Sequence, residues 1–176
     1  PGSMETLSDF SFESHVQLKV ISFSLEGKAN AYNQMIYQAT HPLLMFVTAQ
    51  YRFNVKDVED MMKLSIENEA DIVVAPIKPE GLPWHQRRAY PRAYAQAKTI
   101  FDDPSLLASF TDTIYGKIFR ASFLKQNKVH FLEFDTMLGI PFLSQAFAYK
   151  AKIAYAHWLS LFLGDEVFEQ RSEEHT

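Results

Sequence analysis

Hydrophobic and polar positions change period several times along this chain, and each change marks an element. Val16 to Phe23 alternates with period two over most of its length, which predicts a strand, and Gly27 punctuates it. Ala29, Tyr32, Met35, Ile36 and Ala39 then recur at helical spacing, and Pro42 stops the predicted helix over Ala29 to Thr40. The unbroken apolar run Leu43 to Val47 predicts a buried strand. Asn54 suits an N-cap, with Asp57, Glu59 and Asp60 well placed near a helix amino end. Val55, Val58, Met61, Met62 and Ile66 supply that helix's apolar stripe. Asp71 to Ala75 reads as another short strand, ended by Pro76.

The pattern breaks from Ile77 to Pro91, where Pro79, Pro83, Pro91 and Gly81 make a long loop. Loops of this length are uncommon unless they carry function or move. Beyond it, a helix is predicted over Ala93 to Phe101 and a short one after Pro104. Thr113 to Phe119 looks extended, Ser122 to Asn127 helical, and Val129 to Phe131 strand-like. Ile140 to Lys150 reads as a helix with Phe142, Leu143, Ala146 and Phe147 inward. A last strand over Lys152 to His157 and a final helix over Trp158 to Gln170 complete the pattern. Strands alternating with helices argue an α/β or α+β fold with a mixed sheet.

Composition narrows the classes. A chain of 176 residues is most simply one domain with a real core. Its net charge of −4 gives no basic footprint for nucleic acid. The absence of cysteine excludes disulfides and thiolate metal sites and fits a cytoplasmic setting. No apolar run approaches the roughly 20 residues of a membrane span, and no signal peptide is visible. Pro1 to Ser3 before Met4 reads as a cloning remnant, residues 1–15 as a lead-in, 16–170 as a single domain, and 171–176 as a polar tail.

Candidate chemistry centres on Phe46 to Phe53, "FVTAQYRF". The carboxyl end of a buried strand is where open α/β sheets place ligands, yet the turn offers Thr48, Ala49, Gln50 and Tyr51. Taken alone, it is an ordinary strand-to-helix turn. Trp84, Arg87 and Arg88 could grip a phosphate, since Arg matches phosphate geometry and Trp stacks on flat groups. The alternative is a solvated loop anchored by one buried Trp. His130 and His157 have no partners at ligand spacing and read as packing residues.

Residues 112–155, "DTIYGKIFRASFLKQNKVHFLEFDTMLGIPFLSQAFAYKAKIAY", resemble the second half of family 2 glycosyltransferases of the GT-A fold, closest to those building teichoic acids and capsular polysaccharides. That family carries a "KLFRRSFLEENNIRFPE…ED-IPFL" pattern. Lys117-Ile-Phe-Arg120, Ser122-Phe-Leu124, Asn127, Phe131, Glu133 and Ile140-Pro-Phe-Leu143 match it. Upstream, Gly27 to Asn33 is similar to the family's Gly-x-x-x-Ala-Arg-Asn segment, with Tyr32 where Arg is usual.

The resemblance implies a shortened GT-A-like mixed sheet flanked by helices, and it gives the degenerate turn a meaning. Thr48 and Gln50 stand where the family has the two aspartates of its DxD motif, and Tyr51 where a third acid often lies. A divalent cation there clamps the diphosphate of a nucleotide-sugar donor, and hard cations want carboxylate oxygens. A hydroxyl and an amide bring no charge, and losing the metal forgoes several kcal/mol of transition-state stabilisation. Leu138 and Gly139 replace the family's Glu-Asp pair, which supplies the base, so about 10² to 10⁴ in rate is also forgone. Asp135, or Glu133, is the fallback base. Only about a dozen residues precede Val16, too few for the opening nucleotide-binding strands of relatives, which also predicts an uncovered sheet edge. Lys117 and Arg120 match basic positions of the family and suit either an anionic polymer or surface ion pairing.

These departures favour a glycosyltransferase-like domain without transferase activity, serving cell-surface polymer synthesis as a structural or binding module. No cofactor is expected, and Mn²⁺ or Mg²⁺ only if a divergent active transferase is the better reading. An unrelated α/β binding module is the third option. The expected partner is another protein or a second copy at the sheet edge, an active glycosyltransferase or the rest of a larger synthase, in the cytoplasm or peripherally at the inner membrane face.

Overall fold

The structure, a computed structural model, describes residues 27–47, 51–75, 96–109, 112–133, 138–156 and 161–163. Gly27, at φ +80°, opens helix α1 (Gly27–Gln38), a backbone state that costs glycine little. Strand β1 (Leu43–Met45) follows, then β2 (Tyr51–Phe53). Helix α2 (Val55–Glu67) is capped as expected: the Asn54 side chain accepts the Lys56 backbone N–H at 2.9 Å. Strand β3 (Ile72–Val74) and the short helix α3 (Leu106–Ser109) lead to β4 (Lys117–Arg120), which runs directly into helix α4 (Ala121–Gln126). Helix α5 (Gly139–Ala148), strand β5 (Ile153–Tyr155) and strand β6 (Leu161–Leu163) complete the order.

Four strands form one mixed sheet in the order β1-β4-β3-β5. Strand β4 is antiparallel to both neighbours, with Phe119 opposite Leu44 on one side and Ile72 on the other, while β5 runs parallel to β3. The period-two pattern then sorts side chains to two faces. Ile72, Val74, Phe119, Ile153 and Tyr155 point to one face, under α1, α4 and α5. Val73, Ile118 and Ala154 point to the other, where Met61 of α2 packs. A mixed sheet with helices on both faces is the α/β arrangement that the alternation predicts.

The larger face is aromatic. Phe131 and Phe142 stack with ring centroids 4.1 Å apart and planes 6° from parallel. Phe119 meets Phe142 edge-on at 5.5 Å, and Phe46 meets Phe131 edge-on at 5.4 Å. Such pairs add about 0.5–1.5 kcal/mol each beyond the area they bury. Asn33 of α1 fastens this cluster: its amide donates to the Phe131 carbonyl at 2.8 Å and accepts the Phe131 N–H at 2.7 Å. On the opposite face Arg120 binds the C-terminal end of α2, its Nη2 donating to the carbonyls of Ser65 at 3.0 Å and Ala70 at 3.1 Å. Its Nε lies 3.6 Å from Asp71, whose other oxygen accepts the Lys152 N–H at 2.9 Å.

Several expected elements are corrected. Over its described part, residues 96–101, the helix predicted for Ala93 to Phe101 is absent, because the Lys98 backbone pairs with Ile153 at the edge of β5. Leu161–Leu163 is not helical but a strand, antiparallel to β2, so Tyr51 too lies in a strand rather than a turn. Thr113 to Phe119 is extended only from Lys117; Ile114 to Gly116 form a turn, with Gly116 at φ +71°. Val129 to Phe131 pairs with no strand, since the Asn33 side chain takes the place of a neighbour. The predicted strand Val16 to Phe23 lies outside the described residues. Among the described residues no helix is long and apolar enough to cross a membrane.

Phe142 is fully buried and touches three of the other core rings. Phe142→Ala is expected to lower the unfolding free energy by about 3–5 kcal/mol, measured by urea denaturation with an unchanged m-value.

Candidate functional site

Strand direction gathers the candidate residues at one end of the sheet. Strand β1 ends at Met45 and leads into Phe46 and Val47. Because β4 runs antiparallel to it, the start of β4 and the turn before it, Asp112 to Gly116, arrive at that same end. Tyr32 confirms that the first half of α1 lies there too: its ring is 5.3 Å from Phe46, and its hydroxyl is 3.2 Å from that of Tyr115. Burial and this hydroxyl contact push the Tyr115 phenol up to about 12, so that phenol stays neutral at ordinary pH.

The amino end of α5 closes the site from the other side. Gly139 is buried, and a Cβ built on it would lie 2.0 Å from the Asp112 carbonyl oxygen and 3.4 Å from the Ile114 nitrogen. Both obstacles are backbone, which cannot swing aside as a side chain does. The turn therefore sits on the helix at a distance only glycine allows. Leu138 precedes it, half-buried against the aromatic core.

Lys117 holds the turn from beneath. The sequence suggests a surface cation, but the structure buries Lys117 completely, with its Nζ donating to the Thr113 carbonyl. Burial pulls its pKa from the ordinary 10.5 down to about 7, and the nearby Asp112 only partly opposes this. A fully buried group cannot meet a polymer directly. Arg120 is likewise committed to the carbonyls of Ser65 and Ala70.

Of the other expected site residues, Glu133 is exposed, and Tyr51 is part of β2. Thr48, Gln50, Asp135, Trp84, Arg87 and Arg88 lie outside the described residues. Among the described residues no group of three or more His, Asp or Glu side chains is placed to hold a metal ion. Among the described residues, Asp112 is an acid at this end, exposed beside Gly139. Sequence reasoning misses Asp112 and Tyr115 because only the turn brings them there. The substitution at Tyr32 is the one signal that points toward them.

The family model for glycosyl transferase family 2 matches residues 3–137. The chain belongs to that family. As a family 2 domain it is similar in structure to S. aureus TarS 1-349, with 18% identity and a TM-score of 0.61, over 77% of this chain and 40% of that one. Against the same TarS fragment in complex with UDP the TM-score is 0.62 at 18% identity, over 82% of this chain and 42% of that one. Against its complex with UDP-GlcNAc the TM-score is 0.61 at 17% identity, over 76% and 38%. The chain thus spans about two fifths of the length of TarS 1-349. Comparison with curated proteins gives no match. At these identities the likeness establishes the fold, a GT-A-like sheet flanked by helices, in a short chain.

The backbone at Gly139 leaves a side chain no room.

Gly139→Ala is accordingly expected to destabilise the fold by about 2 kcal/mol or more, read as a lowered urea midpoint. Lys117 gives a pH signature. A lysine whose folded pKa falls below its unfolded value opposes folding most fully below the folded pKa, and the penalty fades as pH rises toward the unfolded one. Between pH 7 and pH 9 the unfolding free energy should therefore rise by about 2 kcal/mol relative to Lys117→Met, followed by urea denaturation at each pH.

Proposed function

We propose that this domain is a glycosyltransferase relative of the teichoic-acid type that has lost its own transfer chemistry. It serves cell-surface polymer synthesis as a binding or structural module, either within a larger synthase or beside an active enzyme. The observation that carries this reading is the seating of Gly139 on the Asp112 carbonyl. A single point mutation could restore a carboxylate in a site that had merely drifted, whereas here the main chain fills the space that the carboxylate needs. The strand-end residues support the same reading, because Thr48 and Gln50 offer neutral oxygens where a diphosphate-bridging cation needs charge. Tyr32 continues the trend, replacing a guanidinium with a phenol that pairs with Tyr115.

The exchange has a chemical consequence. Sugar transfer from a nucleotide diphosphate builds negative charge on the leaving group and needs a proton acceptor at the incoming hydroxyl. Arg120 is turned inward to Ser65 and Ala70, and Lys117 is sealed below the turn. Neither compensates for the leaving-group charge. Cytoplasmic placement and a partner at the sheet edge accompany the reading as parts of the same proposal.

Calorimetry with UDP-GlcNAc, with and without Mn²⁺, tests it, alongside a UDP-release assay. The expected result is no tightening by Mn²⁺ and release at the buffer background. A tenfold or greater Mn²⁺-dependent gain in affinity, or UDP release that Asp112→Asn abolishes, would overturn it.

A further inference from the structure

A fully buried lysine stands at the hinge of the site's turn. Lys117 shares its face of β4 with Phe119, so its side chain enters the aromatic face of the sheet, with Val74 of β3 opposite in register. Its Nζ then reaches back along the chain to donate to the Thr113 carbonyl. Strands β1 and β3 and helices α3 and α5 contain no charged residue. Helix α1 brings Lys28, which is exposed, and Tyr32, whose hydroxyl is paired with that of Tyr115. Lys125 of α4 donates to the Ala39 carbonyl, and Tyr155 of β5 to the Leu106 carbonyl. Among the described residues the carboxylate that acts on Lys117 is Asp112, on the exposed side of the same turn.

The turn can move without the strand. Gly116, at φ +71°, joins the two, and its carbonyl accepts the Ala75 N–H at 2.9 Å where the ladder begins. The turn itself is held by the Tyr32–Tyr115 hydroxyl contact, the seat of the Asp112 carbonyl on Gly139 and the bond from Lys117 to Thr113. A swing about Gly116 breaks these contacts and brings Nζ to water while the Lys117 backbone stays in the sheet. Water favours the ammonium and burial favours the neutral amine, so the open turn binds a proton that the closed turn gives up. The broken contacts keep the open turn a minor state, and the proton decides how minor.

We propose that Lys117 makes the Asp112–Gly116 turn a proton-operated latch: uptake of a proton releases the turn from α1 and α5, and loss of the proton closes it. The latch governs the site because Asp112 and Tyr115 ride on the turn. Its direction follows from linkage. Burial sets the closed-turn pKa at about 7 against the ordinary 10.5, which an opened turn restores. Between these values opening takes up a proton and grows rarer as pH rises; below the lower one both states are charged and the dependence ends. This is a local opening rather than unfolding of the sheet, and it stands whether or not transfer chemistry is present.

The test is amide hydrogen exchange of the whole chain, followed by NMR between pH 7 and pH 9. Tyr115, whose N–H is held by Thr113 Oγ1 at 3.2 Å, reports the latch. Ile72, whose N–H is held by the Lys152 carbonyl at 3.0 Å, reports the sheet. Each exchange rate divided by the intrinsic rate of its amide gives an opening constant. That of Tyr115 should exceed that of Ile72 and fall about 50-fold from pH 7 to pH 9. In Lys117→Met, which has no proton to take up, it should stay constant. If that variant does not fold, the wild-type Lys117 amine, followed by carbon NMR of labelled lysine, should titrate at about 7 while Ile72 keeps its protection. A Tyr115 opening that ignores pH, that changes as much in Lys117→Met, or that equals the Ile72 opening would overturn the proposal, as would a Lys117 amine titrating at its ordinary value.

Discussion

The short turn from Asp112 to Gly116 ties strand β4 to helices α1 and α5, and its seating on α5 is the constraint the site obeys. Three contacts fix it at once. The Asp112 carbonyl rests on Gly139, the Tyr115 hydroxyl meets Tyr32 of α1, and the Lys117 ammonium binds the Thr113 carbonyl from below. Each contact restrains a different element, so the turn cannot shift to widen the site without loosening a helix or exposing the core. Burying a lysine for this purpose is costly, on the order of a few kcal/mol near neutral pH. The stacked rings of Phe131 and Phe142 and the edge-on Phe46 and Phe119 are the packing against which that cost is offset.

Asn33, Arg120 and Phe131, which match the family pattern, hold backbone and core. The fold of this family 2 domain thus rests on polar side chains that bind main chain as much as on apolar ones that fill the interior.

Much of this was legible in the sequence, and the reasons are physical. The strand Asp71 to Ala75 announced itself because a strand buried on both faces must be apolar throughout, whereas Leu43 to Met45, equally apolar, is only half-buried. The α2 helix was legible from its N-cap and its stripe. The failures occurred where a distant partner overruled local preference. Lys98 belongs to a segment that reads as helix but whose backbone pairs with Ile153, far away in sequence. Leu161 to Leu163 reads as helical until Tyr51 to Phe53 offers it a neighbour. Lys117 alternates like any strand residue, and no pattern of polar and apolar positions shows that this lysine points inward. The tight approach at Gly139 was invisible as well, since a glycine in the sequence does not say which backbone it meets.

Asn33 leaves a longer-lasting mark. By donating to and accepting from the same residue, its amide does for Phe131 what a neighbouring strand would do. Aspartate could not donate there, serine could not reach, and leucine would leave two buried backbone groups unanswered. Exchanging this one amide would therefore loosen α1 from the aromatic core, whatever reaction the domain does or does not carry.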